Sequence, residues 1–227
     1  MSAIAERLAG VRRRIAEVCA RVGRDPTQVA LLAVSKTHPA AAVQEAVAAG
    51  QLEFGENRVQ ELAPKAAAFA GRGLRWHMIG SLQTNKVAAL LDVPDLALVH
   101  SVDREKLVER LAELCAARGR TLDVLVQADA TGEASKHGCP LAGLPALADA
   151  VVRSGVLRLR GTMAMGPLVG DPSPVFSSVA EAHTRLADRL GMPLPILSLG
   201  MSGDLEAAIG AGSTLVRVGS AIFGERG

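Results

Sequence analysis

The feature that most constrains the fold is an alternation. Short segments rich in Val, Leu and Ala recur at 29–35, 52–55, 75–79, 97–100, 122–128, 157–163, 195–199 and 214–218, with alanine-rich helical patterns between them, for example at 40–49, 59–69, 104–117, 141–152 and 174–190. Apolar runs of this length with little polar alternation read as strands covered on both faces. Eight strands each followed by a helix predict an α/β fold, a single (β/α)8 TIM barrel, and α/β barrels commonly run this long, so residues 1–227 read as one domain. Ile4, Leu8, Val11, Ile15, Val18 and Val22 recur at helical spacing before the first strand, which adds an N-terminal helix. The second and fourth strands are short and weak, so an open doubly wound sheet is the alternative.

Composition removes several classes. A hydrophobic fraction of 49% with 21% charged residues supports an ample core and argues against disorder. A net charge of +2 is too balanced to call for a nucleic-acid or membrane partner. No apolar run approaches the roughly 18 residues of a membrane span, and the N-terminus lacks a hydrophobic signal core. Cys19, Cys115 and Cys139 show no CxxC spacing, which suggests a reducing cytoplasm. The five histidines show no ligand spacing, so no metal site is expected. Arg12, Arg13 and Arg14 fan around a helix and read as a solvated face.

A barrel carries its function at the strand C-termini. The polar and glycine-rich segments of this chain fall there, at 35–38, 55–58, 77–81, 100–101, 129–137, 161–166, 200–204 and 219–220, whereas the opposite loops at 49–50 and 210–212 are short and bland. Lys36 closes the first strand on the face of Ala30, Leu32 and Val34. A lysine there is expected to be desolvated, with a lowered pKa and a free amine able to attack an aldehyde; the alternative is an ordinary strand-end lysine in solvent. Gly200-Met201-Ser202-Gly203-Asp204 opens a helix and offers a phosphate seat, or else Ser202 or Asp204 serves as an N-cap. Barrels often bind phosphate with the loops after strands seven and eight together, and the eighth ends in Gly219-Ser220. Arg217 points into the barrel, toward either an interior salt bridge or a pyridine nitrogen. His77 lines the pocket or belongs to the core, and 132–138, with Glu133, Lys136 and His137, reads as a mobile surface loop.

At these positions the chain resembles a known family. Val34-Ser-Lys36-Thr, Phe54-Gly-Glu-Asn57, Val59-Gln-Glu61, Trp76-His77, Ile79-Gly80, Gly200-Met-Ser202, Asp204-Leu-Glu-Ala-Ala-Ile209 and Gly212 through Gly224 are similar to the pyridoxal phosphate homeostasis protein family. The resemblance implies a barrel like the N-terminal domain of alanine racemase, with pyridoxal 5′-phosphate (PLP) held as a Schiff base on Lys36. It places Met201, Ser202, Gly219 and Ser220 at the phosphate, Arg217 at the pyridine nitrogen, and Asn57 and His77 along the pocket. Arg58 stands where an aromatic residue is common and Ser220 where threonine is common; Ser220 keeps the hydroxyl. The implied function is a non-catalytic, cytoplasmic, monomeric carrier that buffers or delivers PLP, transiently to PLP-dependent apoenzymes, with effects on amino-acid and keto-acid balance. A weak PLP-dependent racemase and a Schiff-base aldolase-type lyase are the alternatives. An arginine beside the ring nitrogen weakens the electron sink, and racemization needs acid/base groups on both substrate faces. The relatives that racemize take a tyrosine for one face, and this sequence has no tyrosine.

Overall fold

Pairing between the first and last strands decides the architecture. In the computed structural model, which describes residues 2–133 and 137–225, β1 (Ala30–Val34) lies parallel to β8 (Leu215–Val218) with Leu32 opposite Arg217. From β1 the sheet continues through β2 (Glu53–Glu56), β3 (Arg75–Met78), β4 (Leu96–Val102), β5 (Leu122–Asp129), β6 (Leu157–Ala164) and β7 (Ile196–Ser198) back to β8. The sheet is therefore a closed parallel barrel of eight strands, and the open doubly wound alternative is excluded. A two-residue strand, Cys139–Pro140, adds to β5 outside the ring.

The helices that follow the strands are α2 (Ala40–Ala48), α3 (Val59–Ala68), α4 (Val87–Leu91), α5 (Glu105–Ala117), α6 (Leu144–Arg153), α7 (Ser173–Leu190), α8 (Leu205–Gly210) and α9 (Ser220–Phe223). Outward-facing strand residues such as Phe54 and Trp76 pack with them in the main core. The last two helices are too short to cover β8 and β1. That gap is filled by α1 (Ala3–Arg21), which packs on α2, α8 and α9 and buries Ile4, Leu8, Val11, Ile15, Val18 and Cys19. Val22 is its C-cap and is exposed, so the apolar stripe stops one turn short of its sequence pattern.

The expected solvated face of arginines is only partly that. Arg12 donates to the carbonyls of Ala49 and Gly50, and Arg14 donates to the Ser202 carbonyl at 3.1 Å and pairs with Glu206. Consecutive positions fan around the helix, as the sequence shows, but two of the three side chains reach across to carbonyls at loop ends.

Candidate functional site

At the C-terminal end of the strands lies a cavity of about 740 Å³, walled by Lys36, Asn57, Met201, Ser202, Arg217, Gly219 and Ser220. Seven of the eight expected site residues thus meet in one space. Lys36 stands two residues beyond β1, at the cavity wall, and is half-buried rather than enclosed. The chain leaves the strand before Lys36, so its side chain meets the cavity instead of the packed lumen.

The local backbone around Lys36 is held from behind. The Ser35 N–H donates to the Gly55 carbonyl at 3.1 Å, and Thr37 sits in the left-handed region at φ 68° with its N–H donating to Glu61 Oε2 at 2.7 Å. A non-glycine residue in that region is held by its surroundings. Ser35 points away from the cavity into a buried cluster. Its hydroxyl donates to Glu56 Oε1 at 2.7 Å, and Lys65 Nζ donates to Glu56 Oε1 at 2.6 Å and to the Ser35 carbonyl at 2.8 Å. Burial pushes the Glu56 carboxyl above its ordinary range, against the opposing pull of its bonds to Lys65 and Ser35. Ser35, Glu56 and Glu61 fall within the motifs that carry the resemblance but with no role attached to them, and Lys65 reads in the sequence as one more helical lysine.

On the opposite wall, the Ser202 and Ser220 hydroxyls lie 3.3 Å apart. Arg14 fixes the Ser202 carbonyl from outside the barrel. A Cβ on Gly219 would stand 3.2 Å from the Val34 carbonyl, so glycine keeps the end of β8 close against β1. Arg217 is buried, and its guanidinium donates to the Ser198 carbonyl and Oγ, both at 2.7 Å, and to the Ala164 carbonyl at 2.8 Å. Of the two alternatives for Arg217, an interior salt bridge is absent from these bonds, whose partners are neutral. Burial brings the guanidinium down to about 10, with Asp204 opposing, so it stays cationic at neutrality.

Asn57 contributes a buried Oδ1 with no hydrogen-bond partner to the same wall. Its backbone is pressed by the next strand's end, where a Cβ on Gly80 would fall 2.2 Å from the Asn57 carbonyl. Gly80→Ala is expected to push Asn57 out of place and to destabilise the fold by about 1–3 kcal/mol, as overpacking does; urea unfolding measures it, and an unchanged midpoint would contradict the contact.

His77 is not part of the cavity wall. It points into the lumen from β3, 2% exposed, with Nδ1 3.0 Å from His100 Nε2, and its far side lines a smaller cavity of about 250 Å³ at the barrel's other mouth. Inward facing along a strand says nothing about depth, so the sequence could not separate these two ends. Burial lowers His77 to about 3 and His100 well below 6.5, with Arg75 adding to the effect at His77, and His77 and Arg217 at His100. Both imidazoles are neutral when folded, whereas the unfolded chain protonates them below about pH 6.5. The native state then binds fewer protons, so stability falls as pH drops from 6.5 toward 3, by up to about 1.4 kcal/mol per pH unit for each histidine. Urea midpoints at pH 7 and pH 5 check this, and equal midpoints would contradict it.

Sequence reading passes over Gln127 and Met163 and assigns His137 to a surface loop, yet all three line the cavity. Gln127 had a signal: it interrupts an apolar strand two residues after Leu125 on the inward face. Its Nε2 donates to the His137 carbonyl at 2.6 Å, which holds His137 against the cavity. His137 is therefore wall rather than outer surface, while Lys136 lies outside the described residues. Among the described residues, no three His, Cys, Asp or Glu side chains converge as metal ligands, and no helix is long and apolar enough to cross a membrane.

Residues 7–227 match the family model described as alanine racemase, N-terminal domain. The pyridoxal phosphate homeostasis protein of Pseudomonas aeruginosa is 49% identical over 226 residues, covering 100% of this chain and 97% of the relative. The structure of PipY from Synechococcus elongatus PCC7942 with PLP bound superposes with a TM-score of 0.85 at 36% identity, covering 97% of this chain and 100% of that one. Alanine racemase from Corynebacterium glutamicum shares the fold, with a TM-score of 0.73 at 15% identity over 96% of this chain and 60% of its own. The chain belongs to the alanine racemase N-terminal domain family, and within it to the pyridoxal phosphate homeostasis proteins.

Proposed function

We propose that residues 1–227 act as one PLP-binding barrel that holds the cofactor on Lys36 as a Schiff base and buffers or delivers it. The observation that carries this reading is the convergence, in one cavity, of the Lys36 amine, the paired Ser202 and Ser220 hydroxyls, and the Arg217 guanidinium. The donor set suits the group's three parts. Ser202, Ser220 and the neighbouring backbone amide of Gly219 suit a phosphate, whereas the Met201 N–H is held by Asp204 Oδ1; the cation suits an unprotonated ring nitrogen, and the orphaned Asn57 Oδ1 suits a donor. When bound, PLP supplies an aldehyde that condenses with amines and a ring that can draw electrons. Lys36 supplies the amine, and Arg217 stays cationic and so opposes protonation of the ring. That leaves a weak electron sink, good for holding the cofactor and poor for turning over substrate.

Catalysis also needs a second acid/base group facing substrate. The sequence has no tyrosine, and His77 and His100 lie buried in the lumen as neutral imidazoles. We assign no catalytic residue. In this reading the chain acts as a monomer that meets PLP-dependent apoenzymes transiently, in a reducing cytoplasm; the three unpaired cysteines support the compartment alone. A weak racemase is the second reading, favoured by His137 at the cavity wall. The deciding experiment incubates the PLP-loaded protein with L- and D-amino acids beside a Lys36→Ala control. The expected result is no conversion above the control together with transfer of PLP to an apoenzyme; enantiomer interconversion above the control would overturn the carrier reading.

A further inference from the structure

The lumen holds a second polar structure that holding a cofactor does not by itself require. Beneath Arg217, Ser198 Oγ is 2.7 Å from the guanidinium and 3.2 Å from His100 Nδ1; His100 Nε2 is 3.0 Å from His77 Nδ1. At the far end, His77 Nε2 is buried without a hydrogen-bond partner, and Glu53 Oε2 stands 3.8 Å away at the floor cavity. Five strands contribute to this line, from Arg217 on β8 to Glu53 on β2, and it runs the depth of the barrel from one mouth to the other.

Its polarity follows from the donor inventory. A guanidinium only donates, so Ser198 Oγ accepts from Arg217, and its own proton needs an acceptor. Among its bonds, the partner able to accept is His100 Nδ1. His100 then carries its proton on Nε2 and donates to His77 Nδ1, which leaves His77 with its proton on Nε2, facing the Glu53 carboxylate. The reverse polarity would strand the Ser198 hydroxyl and turn a lone pair of His77 toward an anion. Each reversal costs a buried unsatisfied group.

We propose that Ser198, His100 and His77 are positioning residues for Arg217, forming a one-way hydrogen-bonded line that starts at the guanidinium and ends at a water seated between His77 Nε2–H and Glu53 in the floor cavity. The separation of 3.8 Å is too long for a direct bond and suits a bridge, and the cavity is walled by polar groups able to hold one. The line keeps Arg217 the one charge within it and holds its donors at the cavity. Only this last consequence rests on the cavity being the PLP site; the polarity of the line does not.

The test uses the full chain labelled with 15N-histidine, without PLP, at pH 7. Long-range 1H–15N correlation is expected to show His77 and His100 both as the neutral Nε2–H tautomer. An Nδ1–H tautomer or an imidazolium at either would overturn the line. Ser198→Ala is then expected to move the His100 nitrogen shifts and raise the PLP dissociation constant about tenfold, the scale of one hydrogen bond to a charged group, with Ser198→Thr restoring both. Moved shifts with unchanged affinity would overturn the positioning role. If the wild-type chain takes up no PLP at all, the cavity reading fails, while the tautomers still decide the line.

Discussion

Lys36→Ala is expected to abolish the visible absorption of the PLP-loaded protein and to cut cofactor retention on gel filtration by roughly a hundredfold, since the covalent link is lost and only polar contacts remain. The fold should survive. Lys36 lies beyond the strand at a cavity wall and is half-buried, so its loss removes no core packing and should move the urea midpoint by no more than about 0.5 kcal/mol. Residual weak binding through Ser202, Ser220 and Arg217 is part of the expectation, because the three line the cavity whatever stands at 36. Absorption spectra before and after gel filtration read both effects at once. Retention equal to wild type would show that another group holds the cofactor.

The second large effect is expected behind the cavity. Lys65→Met removes the cation from a Glu56 carboxylate that is 0% exposed and 2.6 Å from Lys65 Nζ. Breaking one side of a buried pair costs about 3–5 kcal/mol, chiefly through the charge left behind. The sign of the pH dependence follows. In the variant the buried carboxyl is raised further above its ordinary 4.5, so the native state holds a proton that the unfolded chain releases, and stability falls as pH rises. The loss should therefore be larger at pH 8 than at pH 5 by urea unfolding. Glu56→Gln added to Lys65→Met should recover part of it, because no charge is then stranded. A loss independent of pH would show that the carboxyl is not the stranded group.

How much of this was legible before the fold? The barrel was, because strands buried on both faces leave unbroken apolar runs and their helices leave alanine-rich ones. β4 was underread at 97–100: its interior carries His100 and Ser101, which break the apolar run, yet both lie buried within the seven-residue strand Leu96–Val102. The cavity wall was largely legible because strand ends and period-2 alternation locate it. Support for that wall was not. Lys65, Glu56 and Glu61 act through contacts between α3 and the ends of β1 and β2, and helical spacing carries no record of which neighbour a lysine meets. Likewise His77 and Arg217 share an inward direction, and only the closed barrel shows that one faces the floor cavity while the other lines the upper one.

The central claim is that this barrel holds PLP through one lysine. The direct measurement is borohydride reduction of the PLP-loaded wild-type protein, followed by proteolysis and mass mapping of the labelled peptide. The expected result is a single reduced adduct on the peptide carrying Lys36. An adduct on a different lysine, or none despite bound cofactor, would contradict it.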